Sequence, residues 1–156
     1  MKVRQRIIDV HAHVIPGVDD GSRTMEESVE MLKRAADQGI VGVIATPHYS
    51  RRHVLKGLND SAKLLQQEIR KTYPKFRIFP GQETFYHDEL AQRLNEGKAY
   101  TMADSQYVLV EFMPSVSYEI LFQGIRKRLF LLIWSVTVAC EKKELQSSLI
   151  LDVNFR

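Results

Sequence analysis

Cysteine is almost missing from this chain, whose 156 residues include only Cys140. A single thiol forms no internal disulfide and cannot build a thiolate zinc cage. Nor is it the nucleophile of a Cys-x5-Arg phosphatase loop, because Gln146 stands where that loop needs arginine. Tryptophan also occurs once, and aromatic residues make up 9% of the chain, without the platform on which nucleic-acid bases stack. The longest apolar stretch, residues 129–140, carries Ser135 and Thr137 and is too short to span a bilayer. Residues 1–6 lead into an apolar strand without the hydrophobic region of a signal peptide. The expectation is therefore a cytoplasmic protein, with no membrane insertion and no nucleic-acid partner.

Net positive charge is also scarce over most of the chain. The excess of +3 comes from residues 126–156, which hold six Lys/Arg against three Asp/Glu, whereas 1–125 hold sixteen of each. The only tryptophan and the only cysteine lie in that same tail. Its composition is foreign to what precedes it.

What is present alternates in a β/α rhythm. Residues 7–10 read as a short buried strand. Thr24-Met25-Glu26-Glu27 fits a capping box, and Val29, Leu32, Ala35 and Ala36 recur at helical spacing until Gly39. A second strand is expected over 41–45. A helix capped by Asp60 and carrying Leu64, Leu65 and Ile69 must stop before Pro74. A third strand over 76–79, a short helix over 88–95 closing at Gly97, and a fourth strand over 107–112 complete the pattern. At 44% hydrophobic residues, the chain suits one α/β domain built on a parallel sheet or barrel.

Side chains able to hold a metal follow each strand. Asp9-Val10-His11-Ala12-His13 places two imidazoles at i and i+2, on one side of an extended backbone. His48 follows the second strand in Thr46-Pro47-His48, Glu83 the third in Gly81-Gln82-Glu83, and Glu111 ends the fourth in Val110-Glu111-Phe112. In a (β/α) barrel the carboxyl ends of the strands share the face that carries the chemistry. Nitrogen and oxygen donors without thiolate suit Mn²⁺, Fe²⁺ or Zn²⁺. Each position also has a plainer reading: paired surface histidines beside a turn, rim glutamates in solvent, and in Val18-Asp19-Asp20-Gly21 an ordinary turn. His53 and His87 read as solvated loop or helix-start residues, and Arg51-Arg52 as soluble surface or as partners of an anionic substrate.

Taken together, His11-Ala12-His13, Val18-Asp19-Asp20-Gly21, Thr46-Pro47-His48, Gly81-Gln82-Glu83 and Val110-Glu111-Phe112 resemble the polymerase-and-histidinol-phosphatase (PHP) superfamily. Within it, the opening and the Pro80–Tyr86 segment are similar to the bacterial capsular-polysaccharide tyrosine phosphatases. The resemblance covers residues 7–125. It implies the N-terminal part of a distorted (β/α)7 barrel holding two or three metal ions, usually Mn²⁺. The implied activity is dephosphorylation of a tyrosine autokinase that controls capsule and exopolysaccharide synthesis. Carried over, it assigns His11, His13, His48, Glu83 and Glu111 as metal ligands and Asp20 as a catalytic carboxylate that orients water or protonates the leaving phenol.

The chain departs from that pattern after residue 125. A complete barrel takes about 250 residues, no histidine follows His87, and the family's Ala-His-x-Glu-Arg-Tyr and terminal Asp-x-His motifs are missing. Read two bases along, codons able to encode 128–156 permit a string containing Ala-His-Met-Glu-Arg-Tyr. The expectation is an incomplete barrel over 7–125, an out-of-frame tail over 126–156, and a fourth strand left as an unpaired edge. Competing functions are another PHP phosphoesterase, of the histidinol-phosphate phosphatase type, and an inactive fragment. The sequence leaves the oligomeric state open.

Overall fold

The computed structural model describes residues 7–48, 55–87, 89–111, 117, 119, 135–139 and 149–151. The chain divides into two compact units, Met1–Gly81 and Gln82–Arg156. In the first, β1 (Ile7–Ala12), α1 (Met25–Asp37), β2 (Ile40–Ala45), α2 (Leu55–Arg70) and β3 (Arg77–Pro80) alternate. The three strands form one parallel sheet in the order β1-β2-β3. The second unit holds β4 (Glu83–Phe85), α3 (Leu90–Asn95), β5 (Tyr107–Glu111), β6 (Ser135–Ala139) and β7 (Leu149–Leu151). Here β4, β5 and β6 pair in parallel and β7 runs antiparallel to β6. The mixed α/β class with parallel pairing agrees with the expectation from sequence. Among the described residues, no helix is long and apolar enough to cross a membrane.

Helix α1 starts where its cap dictates. Thr24 Oγ1 accepts from the Glu27 amide at 3.2 Å, and the Glu27 carboxylate reaches back to the Arg23 amide at 2.8 Å. This satisfies the Glu27 amide of the first turn and the Arg23 amide just before the cap. Gly39, at φ +96°, turns the chain out of the helix into β2 at no steric cost.

Helix α2 begins at Leu55, five residues before the cap expected at Asp60. Asp60 instead lies inside the helix, 3.9 Å from Lys63. The apolar stripe explains the longer helix: Leu58, Ala62, Leu65 and Ile69 follow helical spacing and pack with Val14, Ile15, Leu32, Val43 and Phe76. Leu64, carried by the same expected helix, falls off the stripe and is 54% exposed. Gln66 supports the edge strand of this sheet, donating to the Phe76 carbonyl at 3.0 Å and accepting from the Ile78 amide at 2.7 Å. One side chain thus supplies the ladder bonds that a neighbouring strand would make.

Two further differences concern strands. Pro80-Gly81 breaks the third β segment, so Glu83 opens a separate strand, β4, rather than trailing β3. The fourth expected strand, β5, is not an edge. It pairs with β4 on one side and, from Tyr107↔Ser135 to Glu111↔Ala139, with β6 on the other. Val108, Leu109 and Val110 are all fully buried, as in a strand covered on both faces. Phe112, Arg51, Arg52 and His53 lie outside the described residues.

Leu65 and Ile69 are fully buried in the first unit's core. Leu65→Ala leaves a cavity there and is expected to destabilise the protein by about 2–5 kcal/mol. Leu64→Ala, one residue away on the exposed face, should stay within about 0.5 kcal/mol. Urea midpoints of the two variants check the assigned stripe, and equal losses would contradict it.

Candidate metal centre

The first unit carries its candidate ligands where β1 and β2 end. Thr46, fully buried just past β2, ties the two strand ends together. Its amide donates to the Ala12 carbonyl at 2.9 Å, and its hydroxyl accepts from the Ala12 amide at 3.0 Å. The β1–β2 register is irregular between Asp9 and Ala12, a local disruption of the kind that re-aims side chains beside active sites. Asp9 Oδ1 accepts from the His11 amide at 3.1 Å inside that break.

The imidazoles of His11 and His13 converge, with their Nε2 atoms 3.1 Å apart and ring centroids 5.1 Å apart. His48 also stands against His13, with ring centroids 4.6 Å apart. Asp20, 81% exposed, brings Oδ1 to 3.4 Å from His48 Nε2. His13, Asp20 and His48 each offer a ligand atom within 4.8 Å of the others.

This donor set fits a divalent cation. Two ligands bound at about 2.1 Å and about 90° stand about 3.0 Å apart, and about 3.4 Å apart in a tetrahedron. The 3.1 Å between the two Nε2 atoms falls in that interval. Neutral imidazole and carboxylate together suit first-row divalent ions.

The loop after β1 is shaped by contact with His13. The Ser22 amide donates to the His13 carbonyl at 3.2 Å, and the Gly17 amide to the Ser22 carbonyl at 2.8 Å. A Cβ on Gly21 would lie 2.2 Å from the His13 oxygen and 2.5 Å from its Cβ, so only glycine fits there. Ser22 and Ser28, both buried, join their hydroxyls at 2.7 Å and fasten the loop to α1.

The site has a member that sequence reasoning passed over. Asp19 lies in the expected turn beside Asp20, yet its side chain is only 4% exposed and its Oδ2 lies 2.8 Å from His13 Nδ1. The His48 and Gly21 amides also donate to it, each at 3.0 Å. Burial alone would raise the Asp19 carboxyl, but the bonds from His13, Gly21 and His48 outweigh it and hold its pKa below the ordinary aspartate value. The available signal was the Asp-x-Gly turn, whose side chain accepts from the amide two residues on.

Glu83 and Glu111 belong to the second unit. Glu83 pairs with Leu109, two residues before Glu111, so both carboxylates stand on one face of the sheet. An oxygen from each lies within 4.8 Å of the other. They are 2% and 9% exposed, whereas glutamates at strand ends are ordinarily solvated. Buried carboxylates need cations or hydrogen bonds to stay ionised. His87 accepts from the Glu89 amide at 3.2 Å, in the helix-start position expected for it.

Residues 7–142 match the family model described as capsular polysaccharide synthesis, CpsB/CapC. The chain is 32% identical to tyrosine-protein phosphatase YwqE of Bacillus subtilis over 109 residues, 68% of this chain and 43% of that protein. It is 30% identical to tyrosine-protein phosphatase CpsB of Streptococcus pneumoniae over 144 residues, 87% of this chain and 57% of that protein. Among solved structures it resembles one from the crystallographic work on YwqE and CpsB, described there as unique metal-dependent tyrosine phosphatases. The TM-score is 0.76 at 27% identity, covering 85% of this chain and 54% of that one. The chain spans about half the length of the relatives it matches.

Close approach at Gly21 makes the loop sensitive to one methyl group. Gly21→Ala should cost about 1–3 kcal/mol and lower metal affinity, because the loop can relieve the clash only by moving off His13. Urea denaturation with Mn²⁺ titration checks this, and an unchanged midpoint would rule the contact out.

Proposed function

The chain belongs to the capsular polysaccharide synthesis CpsB/CapC family, and on that premise we propose that it carries the metal centre of a phosphotyrosine phosphatase. The observation that carries the reading is the histidine and aspartate cluster at the ends of β1 and β2. The proposal assigns His11, His13, His48, Glu83 and Glu111 as ligands of two or three ions, with Mn²⁺ the metal of choice, and Asp20 as the catalytic carboxylate. The substrate class is phosphotyrosine on a bacterial tyrosine autokinase, acted on in the cytoplasm and regulating capsule or exopolysaccharide synthesis.

When bound, such ions supply positive charge for the phosphoryl oxygens and acidify water. The chain's own residues do the rest. His11 and His13 present Nε2 atoms from a strand end pinned by Thr46. Asp20, exposed and beside His48, stands where a phosphate on another protein's surface is within reach. Its Oδ1 accepts a hydrogen bond from the attacking water and takes up the released proton. A phenol, with a pKa of about 10, leaves more readily than an alcohol and needs less help from a buried general acid. Both named relatives are tyrosine phosphatases, which favours an aryl phosphate over the alkyl ester of a histidinol-phosphate phosphatase.

The division at residue 125 belongs to the same proposal. Charge asymmetry and the permitted Ala-His-Met-Glu-Arg-Tyr string support an out-of-frame tail over 126–156. The family match runs to residue 142, and β6 pairs with β5. Sequencing the encoding DNA across codons 120–160 decides it: the proposal expects a base insertion or deletion near codons 124–128, and an uninterrupted frame overturns it.

Hydrolysis of p-nitrophenyl phosphate and of a phosphotyrosine peptide by the intact, frame-restored protein is expected to require added Mn²⁺ and to stop with EDTA. Chelator-insensitive turnover would defeat the metal mechanism. The double variant His11→Ala, His13→Ala should lose bound metal together with turnover. Undiminished metal content by elemental analysis would show that the pair is structural.

A further inference from the structure

The Asp19 carboxylate receives three N–H donors from three places in the chain. Oδ2 takes His13 Nδ1 at 2.8 Å and the His48 amide at 3.0 Å, and Oδ1 takes the Gly21 amide at 3.0 Å. All three belong to the first unit. We propose that Asp19 is the positioning residue of the metal centre, holding His13 in the Nδ1–H tautomer and fixing the His48 backbone to the same carboxylate. The inference rests on the reading that His13 and His48 are metal ligands.

A neutral imidazole carries one N–H and one lone pair, and the hydrogen bond made by one ring nitrogen decides which is which. An ionised carboxylate only accepts, so it draws the proton to Nδ1. The lone pair is then on Nε2, the atom that stands 3.1 Å from His11 Nε2. Without Asp19 the imidazole is free to take the other tautomer, which points an N–H where a cation needs a lone pair. The carboxylate also adds to the basicity of the ligating nitrogen.

The second consequence is geometric. His13 leaves the end of β1 and His48 follows β2, and Asp19 binds the side chain of one and the backbone of the other. That shared acceptor fixes the His13 ring relative to the His48 backbone. Asparagine cannot replace it, because its one oxygen cannot accept at both carboxylate positions. Its NH₂ would face one of the three N–H donors, and a donor against a donor repels. Glutamate adds a methylene to a side chain that is already buried and fully engaged.

The test uses the unsubstituted chain, Asp19→Asn and Asp19→Ala, each checked for folding. Long-range ¹H–¹⁵N NMR of the metal-free protein, with the His13 signals assigned by their loss in His13→Ala, reads the tautomer directly. Titration calorimetry with Mn²⁺ reads affinity, and far-UV circular dichroism supplies the folding check. The expected result is Nδ1–H at His13 in the unsubstituted chain, loss of that preference in Asp19→Ala, which has no acceptor, and Mn²⁺ affinity weaker by about 10–100-fold in both variants. A purely structural Asp19 would lower the melting temperature but leave tautomer and affinity unchanged in folded Asp19→Ala, which overturns the proposal. Nε2–H at His13 in the unsubstituted chain overturns it without any variant, so misfolding of either variant does not shield it. An unsubstituted chain that shows Nδ1–H but binds no Mn²⁺ overturns it by a different route, because the metal reading has then failed while the contact stands.

Discussion

The ends of β1 and β2 are held together by hydrogen bonds, to which the ordered loop after β1 adds its own. Thr46 closes the backbone of the two strands on each other, and Asp19 closes the loop on both histidine segments. Every feature of the candidate centre in the first unit depends on that closure. The cost of burying the Asp19 carboxylate is offset by three donors, each charge-assisted. The Ser22–Ser28 hydroxyl pair carries the same order into α1, so the site is tied to the helix that packs on the sheet.

Parallel pairing is what brings such chemistry to strand ends. In the first unit β1 and β2 are each followed by a helical crossover, so the residues that leave the sheet at their carboxyl ends lie beside one another. Side chains there are free of the close packing that holds Val43 or Leu65 in the core, yet their backbone is fixed by the strand behind them. His11, His13 and His48 occupy that setting. The same logic in the second unit places Glu83 and Glu111 on one face of the sheet, where the register of β4 on β5 fixes their separation. Two carboxylates so close and so buried repel each other unless a cation or a shared proton intervenes, which agrees with the metal dependence described for the related phosphatases.

The glycines and small residues at these turns show how tightly the loop is built. Gly21 lies against the His13 carbonyl with no room for a methyl group, so the path of the loop and the position of the histidine are a single constraint. The Val18-Asp19-Asp20-Gly21 segment therefore serves three purposes in four residues. Asp19 is buried and binds inward, Asp20 is exposed and stands beside His48, and Gly21 permits the approach that separates the two roles.

Periodicity and cap chemistry act locally, and on them the sequence alone determined the parallel α/β class, the start of α1 at Thr24, its end at Gly39 and the recurrence of possible ligands after each strand. Those signals need no knowledge of distant residues. The helix start at Leu55, the exposure of Leu64, the separate strand at Glu83 and the pairing of β5 with β6 depended on packing or long-range hydrogen bonds, which leave little trace in a short window of sequence. The same division runs through the site. His11, His13, His48, Glu83, Glu111 and Asp20 were legible as residue types at telling positions. The distinct part played by Asp19 was not, because two adjacent aspartates before a glycine look alike in one dimension. Only the folded loop, by turning one carboxylate inward onto three N–H groups and the other out to solvent, makes them chemically different.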